Sequence, residues 1–159
     1  MTRGGHHANI VATRSCVLFF NRSTAVLTES HSSYAPSAGM MTAAQQIAHA
    51  AHTIDWFVEG AFRPEGFDLN FEAQATAYMA VTSIADARAW FERAVAAAST
   101  TLGAKTDADL LVLMPPGPVM GDMPRMAILG AITDHTAHHR GALTVYARLN
   151  HIVPPMPYM

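Results

Sequence analysis

From Met126 to Leu149 apolar residues recur in steps of three and four through Ile128, Ile132, His135, His139, Ala142, Tyr146 and Leu149. Gly130 and Gly141 are the only helix breakers in that run. A period near 3.6 places these positions on one stripe of a helix. Asp122 just before the run and Pro124 in its first turn supply N-terminal chemistry, and the helix is predicted to end at Leu149 or Asn150. Two histidines one turn apart on a core stripe carry polar nitrogens that must find partners.

The same pattern predicts three further helices. One spans Ile10 to Thr28, with Val11, Leu18, Val26 and Leu27 among its apolar positions. The next spans Met41 to Phe62, capped by Thr42. Its Ile47, Ile54, Trp56, Phe57, Val58 and Phe62 cover most of the circumference, so it packs on several sides. Ser83 followed by Asp86 reads as a capping box for a third, from Ile84 to Leu102, with Ala87, Trp90, Phe91, Ala94, Val95 and Ala98 facing the core.

The connections follow from turn residues. His31–Gly39 and Arg63–Phe67 are loops, and Phe71–Val81 is a short amphipathic segment. Lys105–Gly121 is an ordered crossover, open to a short edge hairpin, because Leu110, Leu111, Val112 and Leu113 are unfavourable in water. Ile152–Met159, with Pro154, Pro155 and Pro157, lies extended across the helices. Four long helices with uneven connections predict an all-α four-helix bundle in a single domain over residues 1–159, with 1–8 frayed.

Composition narrows the function. Half of the chain is apolar, 14% is charged and the formal net charge is −2, which argues against a nucleic-acid binder working through a basic surface. The single Cys16 excludes an internal disulfide and fits a reducing compartment. No apolar stretch approaches the roughly 18 residues of a membrane span. Val17–Phe20 is too short for the centre of a signal peptide, so a cytoplasmic protein without membrane attachment is expected.

His135 and His139 at i and i+4 point to a bound metal, and a third ligand is expected from the helix that carries His49 and His52. Periodicity does not choose between those two. Three neutral imidazoles suit zinc, nickel or another late first-row ion and leave a coordination position open for chemistry. No HExxH motif is present, so the base of a metalloprotease is missing. His138 lies about 60° round the helix from His135, as an outer or alternative ligand. Asp134 is read as orienting an imidazole from behind or merely interacting with Arg140 or a neighbour, and Arg140 as an ion-pair partner in the bundle or at an interface. His31 and His151 are read as solvated, His6 and His7 as terminal, and Cys16 as core. Trp56, Tyr146 and methionines are candidates to line a pocket beside the metal.

His135-Thr136-Ala137-His138-His139-Arg140-Gly141-Ala142-Leu143, with Val145-Tyr146-Ala147-Arg148-Leu149 and Val153-Pro154-Pro155, resembles the C-terminal signature of the DinB family. Gln46-Ile47-Ala48-His49 and Thr53-Ile54-Asp55-Trp56-Phe57 look like that family's first histidine segment. The likeness covers roughly residues 19–159 and implies a DinB/YfiT-like bundle of up-down-down-up connectivity, often a homodimer. Carried over residue by residue, it implies the metal ligands His49, His135 and His139. Ala142 stands where many members have Gln, so any role of that amide is absent here, and the first fifteen residues depart from the family's usual start.

The resemblance implies a metal-dependent enzyme similar to transferases that use a low-molecular-weight thiol against a small-molecule electrophile, with metal-assisted hydrolysis as a second branch. The rival expectation is a non-catalytic, stress-related metal-binding dimer.

Overall fold

The computed structural model describes residues 15–159, and among them every regular element is helical. Helix α1 covers 15–24, followed by α2 (Ala43–Phe62), α3 (Phe71–Met79), α4 (Ile84–Gly103), α5 (Asp107–Leu111) and α6 (Ile128–Leu149). Single 3-10 turns stand at Glu29–His31 and Arg125–Ala127. The expected start of the first helix at Ile10, and His6 and His7, lie outside the described residues.

Helix α2 is the centre of the core and lies against both α4 and α6. Its buried face is made largely of small residues, Ala43, Ala44, Ala48, Ala50, Ala51 and Ala61, interleaved with Ile47, Ile54 and Phe57. Ala87, Ala94 and Ala98 of α4 answer them, and small side chains let helix axes approach closely. Phe20 of α1 stacks on Phe91 of α4 with centroids 4.4 Å apart, which fixes α1 against the bundle. The tail lies along α1, where Arg22 donates to the Pro157 carbonyl and Tyr158 packs edge-on against Phe19.

Thr42 caps α2 with a reciprocal bond from Gln45, as the sequence implies. At α4 the expected capping box is only half formed: Ser83 accepts from the Asp86 N–H, and the other free donors are met from a distant turn. The Ile84 N–H donates to Ser32 Oγ and the Ala85 N–H to Glu29 Oε2. These bonds hold the Glu29 carboxyl below the usual carboxylate range, the Ala85 amide contributing most and the Ser32 hydroxyl next. Ser32→Ala is therefore expected to cost about 1 kcal/mol in urea unfolding, because it strands the buried Ile84 amide. An unchanged midpoint would show that water replaces the hydroxyl.

Several expectations are corrected. The first helix stops at residue 24, so Val26 and Leu27 pack from a turn. His31 stays partly exposed but also has a local role: its Nδ1 accepts from the Thr28 amide and closes the 3-10 turn. The crossover forms α5 and one bridge, Leu113 with Pro124, rather than a hairpin, and Leu111 remains 60% exposed while Leu110 alone of α5 is buried. The last helix starts at Ile128; Pro124 caps the 3-10 turn that feeds it, and Asp122 takes a left-handed conformation with φ 62. The buried stripe of α6 runs through Ile128, Ile132, Thr136, His139, Leu143, Tyr146 and Ala147. It is rotated from the expected one, leaving His135 half-buried at its margin and Leu149 52% exposed.

Candidate metal centre

That rotation sets the site. His139 lies inside the core at 3% exposure, and His135, one turn earlier, sits where α6 meets a cleft. His49 projects from the middle of α2 toward both. One nitrogen of each ring lies within 4.8 Å of the other two, and ring centroids stand 4.8 Å (His49–His139), 5.3 Å (His49–His135) and 4.5 Å (His135–His139) apart.

A hydrogen-bond chain orients the most buried ring. The Tyr146 hydroxyl donates to the Met41 carbonyl at 2.9 Å and so accepts from the Gln46 amide nitrogen at 3.4 Å. This turns the Gln46 Oε1 toward His139, whose Nδ1–H donates to it at 2.5 Å. His139 therefore keeps its proton on Nδ1 and aims the Nε2 lone pair at His135 Nε2, 3.0 Å away.

The imidazoles are held neutral. His139 is pushed down to about 3, by burial first and then by His135, His49 and His138. His49 is lowered to about 4, again by burial first and then by His135, His52 and His138. His135 moves the same way, burial outweighing the opposing pull of Asp134. Neutral rings are the form in which histidine binds metal.

The fit to a metal rests on an orphaned atom. His49 Nδ1 is buried and has no hydrogen-bond partner, the one such side-chain atom among the described residues. A buried polar nitrogen left unpaired is unfavourable by about 1–3 kcal/mol, so it signals a missing partner. Nitrogens about 3.3 Å apart surround a tetrahedral ion with bonds of about 2.0–2.1 Å; here the His135 and His139 Nε2 atoms stand 3.0 Å apart and His49 offers a nitrogen within 4.8 Å of both.

The remaining candidates fall outside the cluster. His52, also on α2, turns toward Tyr78 and Trp90, with centroids at 5.4 and 6.1 Å. His138 is exposed, its ring 4.9 Å from that of His139. Asp134 and His151 are exposed. Arg140 makes no ion pair among the described residues, where Arg63 with Glu59 and Glu65 forms those present. It faces Cys16, a buried thiol that desolvation pushes up against the opposing effects of Thr136 and Arg140. Trp56 lines the adjoining cleft as expected. Tyr146 does not, because its hydroxyl is committed to the chain through Gln46, and no methionine lines it.

Sequence reasoning missed Gln46 and Tyr78. Gln46 precedes His49 by three residues, so both share a face of α2, and that spacing was the available signal. Tyr78 packs on His49 with centroids 4.5 Å apart, from a helix expected to be amphipathic that has no buried residue of its own, so no inward face marked Tyr78.

The geometry defines an all-α protein whose two core helices bring three neutral histidines to a point beside a cleft. The DinB superfamily model matches residues 20–143, and the chain belongs to that superfamily. The chain matches no curated protein and no solved structure.

Proposed function

We propose that the protein is a metal-dependent enzyme in which His49, His135 and His139 hold one divalent ion, zinc or nickel by donor type, and that it transfers a low-molecular-weight thiol to a small electrophile. The observation that carries this reading is the convergence of the three rings with the His49 nitrogen left unpartnered. Such an ion, when bound, acidifies a coordinated thiol or water and polarises a substrate oxygen.

The protein's own residues do the rest. Gln46 fixes the tautomer of His139 and keeps its free lone pair directed into the cluster. Burial keeps the rings unprotonated at neutral pH. His49 and His135 both line the cleft, so a small molecule can reach the cluster from that side. An accessible position favours chemistry over a closed structural site. The same reading takes the long helices as an up-down-down-up four-helix bundle and the working assembly as a homodimer, both from the family resemblance. No described helix is long and apolar enough to cross a membrane.

Elemental analysis of purified protein is expected to find one late first-row metal per chain. After cobalt substitution, added thiol is expected to shift the visible spectrum, and a screen of thiols against electrophiles to show thiol-dependent turnover. A preparation that never takes up metal would overturn the reading. A cobalt spectrum indifferent to thiols would favour the non-catalytic dimer instead.

Gln46→Leu tests the orienting bond. It is expected to weaken metal binding about 10–100-fold in chelator competition, because the partner that fixes a ligating histidine is removed. Unchanged affinity would mean that packing alone orients His139.

A further inference from the structure

We propose that the cleft beside the histidines admits a small uncharged ligand with a flat apolar body, of single-ring aromatic size, and one polar end turned to His49 and His135. This deepens, and rests on, the metal-site reading above.

Size comes first. The cavity between α2, α3 and α6 measures about 200 Å³. A cavity of roughly 150 Å³ holds benzene, so there is room for one ring with a short substituent.

The walls then set the chemistry. Trp56, Phe57, Phe71 and Tyr78 present aromatic surface, and none of the lining residues is a Lys, Arg, Asp or Glu. A charged group would lose its hydration here without an ionic partner in exchange.

Most of the polar hydrogens at the wall are already committed. The Trp56 indole N–H and the Gln74 amide both donate to the Asp68 carbonyl, at 2.9 and 2.8 Å. The Thr53 hydroxyl donates to the His49 carbonyl at 2.8 Å. These groups shape the wall without offering those hydrogens to a guest. Of the remaining polar lining residues, His49, His52, Tyr78 and His135, the two that belong to the histidine cluster are His49 and His135, and the polar end of the ligand is assigned to them. Flat apolar matter with a single polar terminus is what such a surface recognises.

Calorimetric titration of the full chain, with metal content measured in parallel, tests this using benzyl mercaptan, its 4-carboxylate analogue and benzyl alcohol. Benzyl mercaptan is expected to bind at least about ten-fold tighter than the carboxylate. Phe71→Ala and Trp56→Ala are each expected to weaken it about ten-fold with metal content unchanged. Phe71 is 56% exposed on a helix without buried residues, so its removal leaves the core intact even if the Trp56 variant does not fold. Equal or tighter binding of the carboxylate, or full affinity in the Phe71 variant, would overturn the assignment. Benzyl alcohol titrated into chelator-treated protein separates the two readings. Saturable binding lost on Phe71→Ala upholds the aromatic site even where no metal is taken up, and absence of binding by both uncharged probes refutes it.

Discussion

Replacing His135 by alanine is expected to strip the metal while leaving the protein folded. Zinc-type sites release about 10–16 kcal/mol over their ligand set, so one imidazole accounts for roughly 3 kcal/mol, or about a hundred-fold in affinity. Elemental analysis after dialysis should therefore find little metal in the variant. His135 is half-buried at the margin of the α6 stripe, and its Nε2 meets only that of His139. Its loss removes an imidazole pressed against another, and the metal-free protein should unfold within about 1 kcal/mol of the parent. Retained metal with an unshifted cobalt spectrum would remove His135 from the centre. Collapse of the metal-free fold would make the cluster structural first.

Phe91→Ala is expected to have the largest effect on stability. Phe91 is 1% exposed, and its ring stacks on Phe20, which is fully buried. Deleting it leaves a cavity between α1 and α4 that the small buried residues of α4, Ala87, Ala94 and Ala98, have little bulk to fill. A loss of about 3–5 kcal/mol follows, lowering Tm by roughly 6–20 °C. Leu111→Ala is the matched control: at 60% exposure its deletion should shift stability by no more than about 0.5 kcal/mol. Similar losses in the two variants would show that the α1–α4 contact is not a rigid part of the core. Metal content of the Phe91 variant, measured below its Tm, should match the parent because neither α1 nor α4 contributes a histidine.

Two of the corrected expectations share a cause. Apolar content implies burial at Leu111–Leu113, yet a five-residue helix offers one side chain inward and leaves its neighbours in water. Apolar periodicity puts His135, Ala142 and Leu149 on the α6 stripe, whereas Thr136, Leu143 and Ala147 occupy the buried line. Both threonine and alanine are ambiguous in a periodicity count, so the stripe can turn by one residue without violating the pattern. At α4, likewise, Ser83 announced the helix start, but its partners Ser32 and Glu29 lie more than fifty positions upstream and no local pattern reveals them.

What the chain alone determined is whatever depends on neighbours within one or two turns. The extents of α2 and α4, the Thr42 cap, and the stacking of His135 over His139 all follow from helical geometry and local hydrogen bonds. Spacing left His49 and His52 open, and only the resemblance preferred His49. Tertiary packing decided the rest: which face of α2 meets α6, how Gln46 and Tyr146 orient His139 across about a hundred residues of chain, and how α3 lays aromatic rings over the cleft. The reason is physical. A helix fixes the angles between its own side chains, but its rotation against a neighbour is set by the fit of side chains that sequence order keeps far apart.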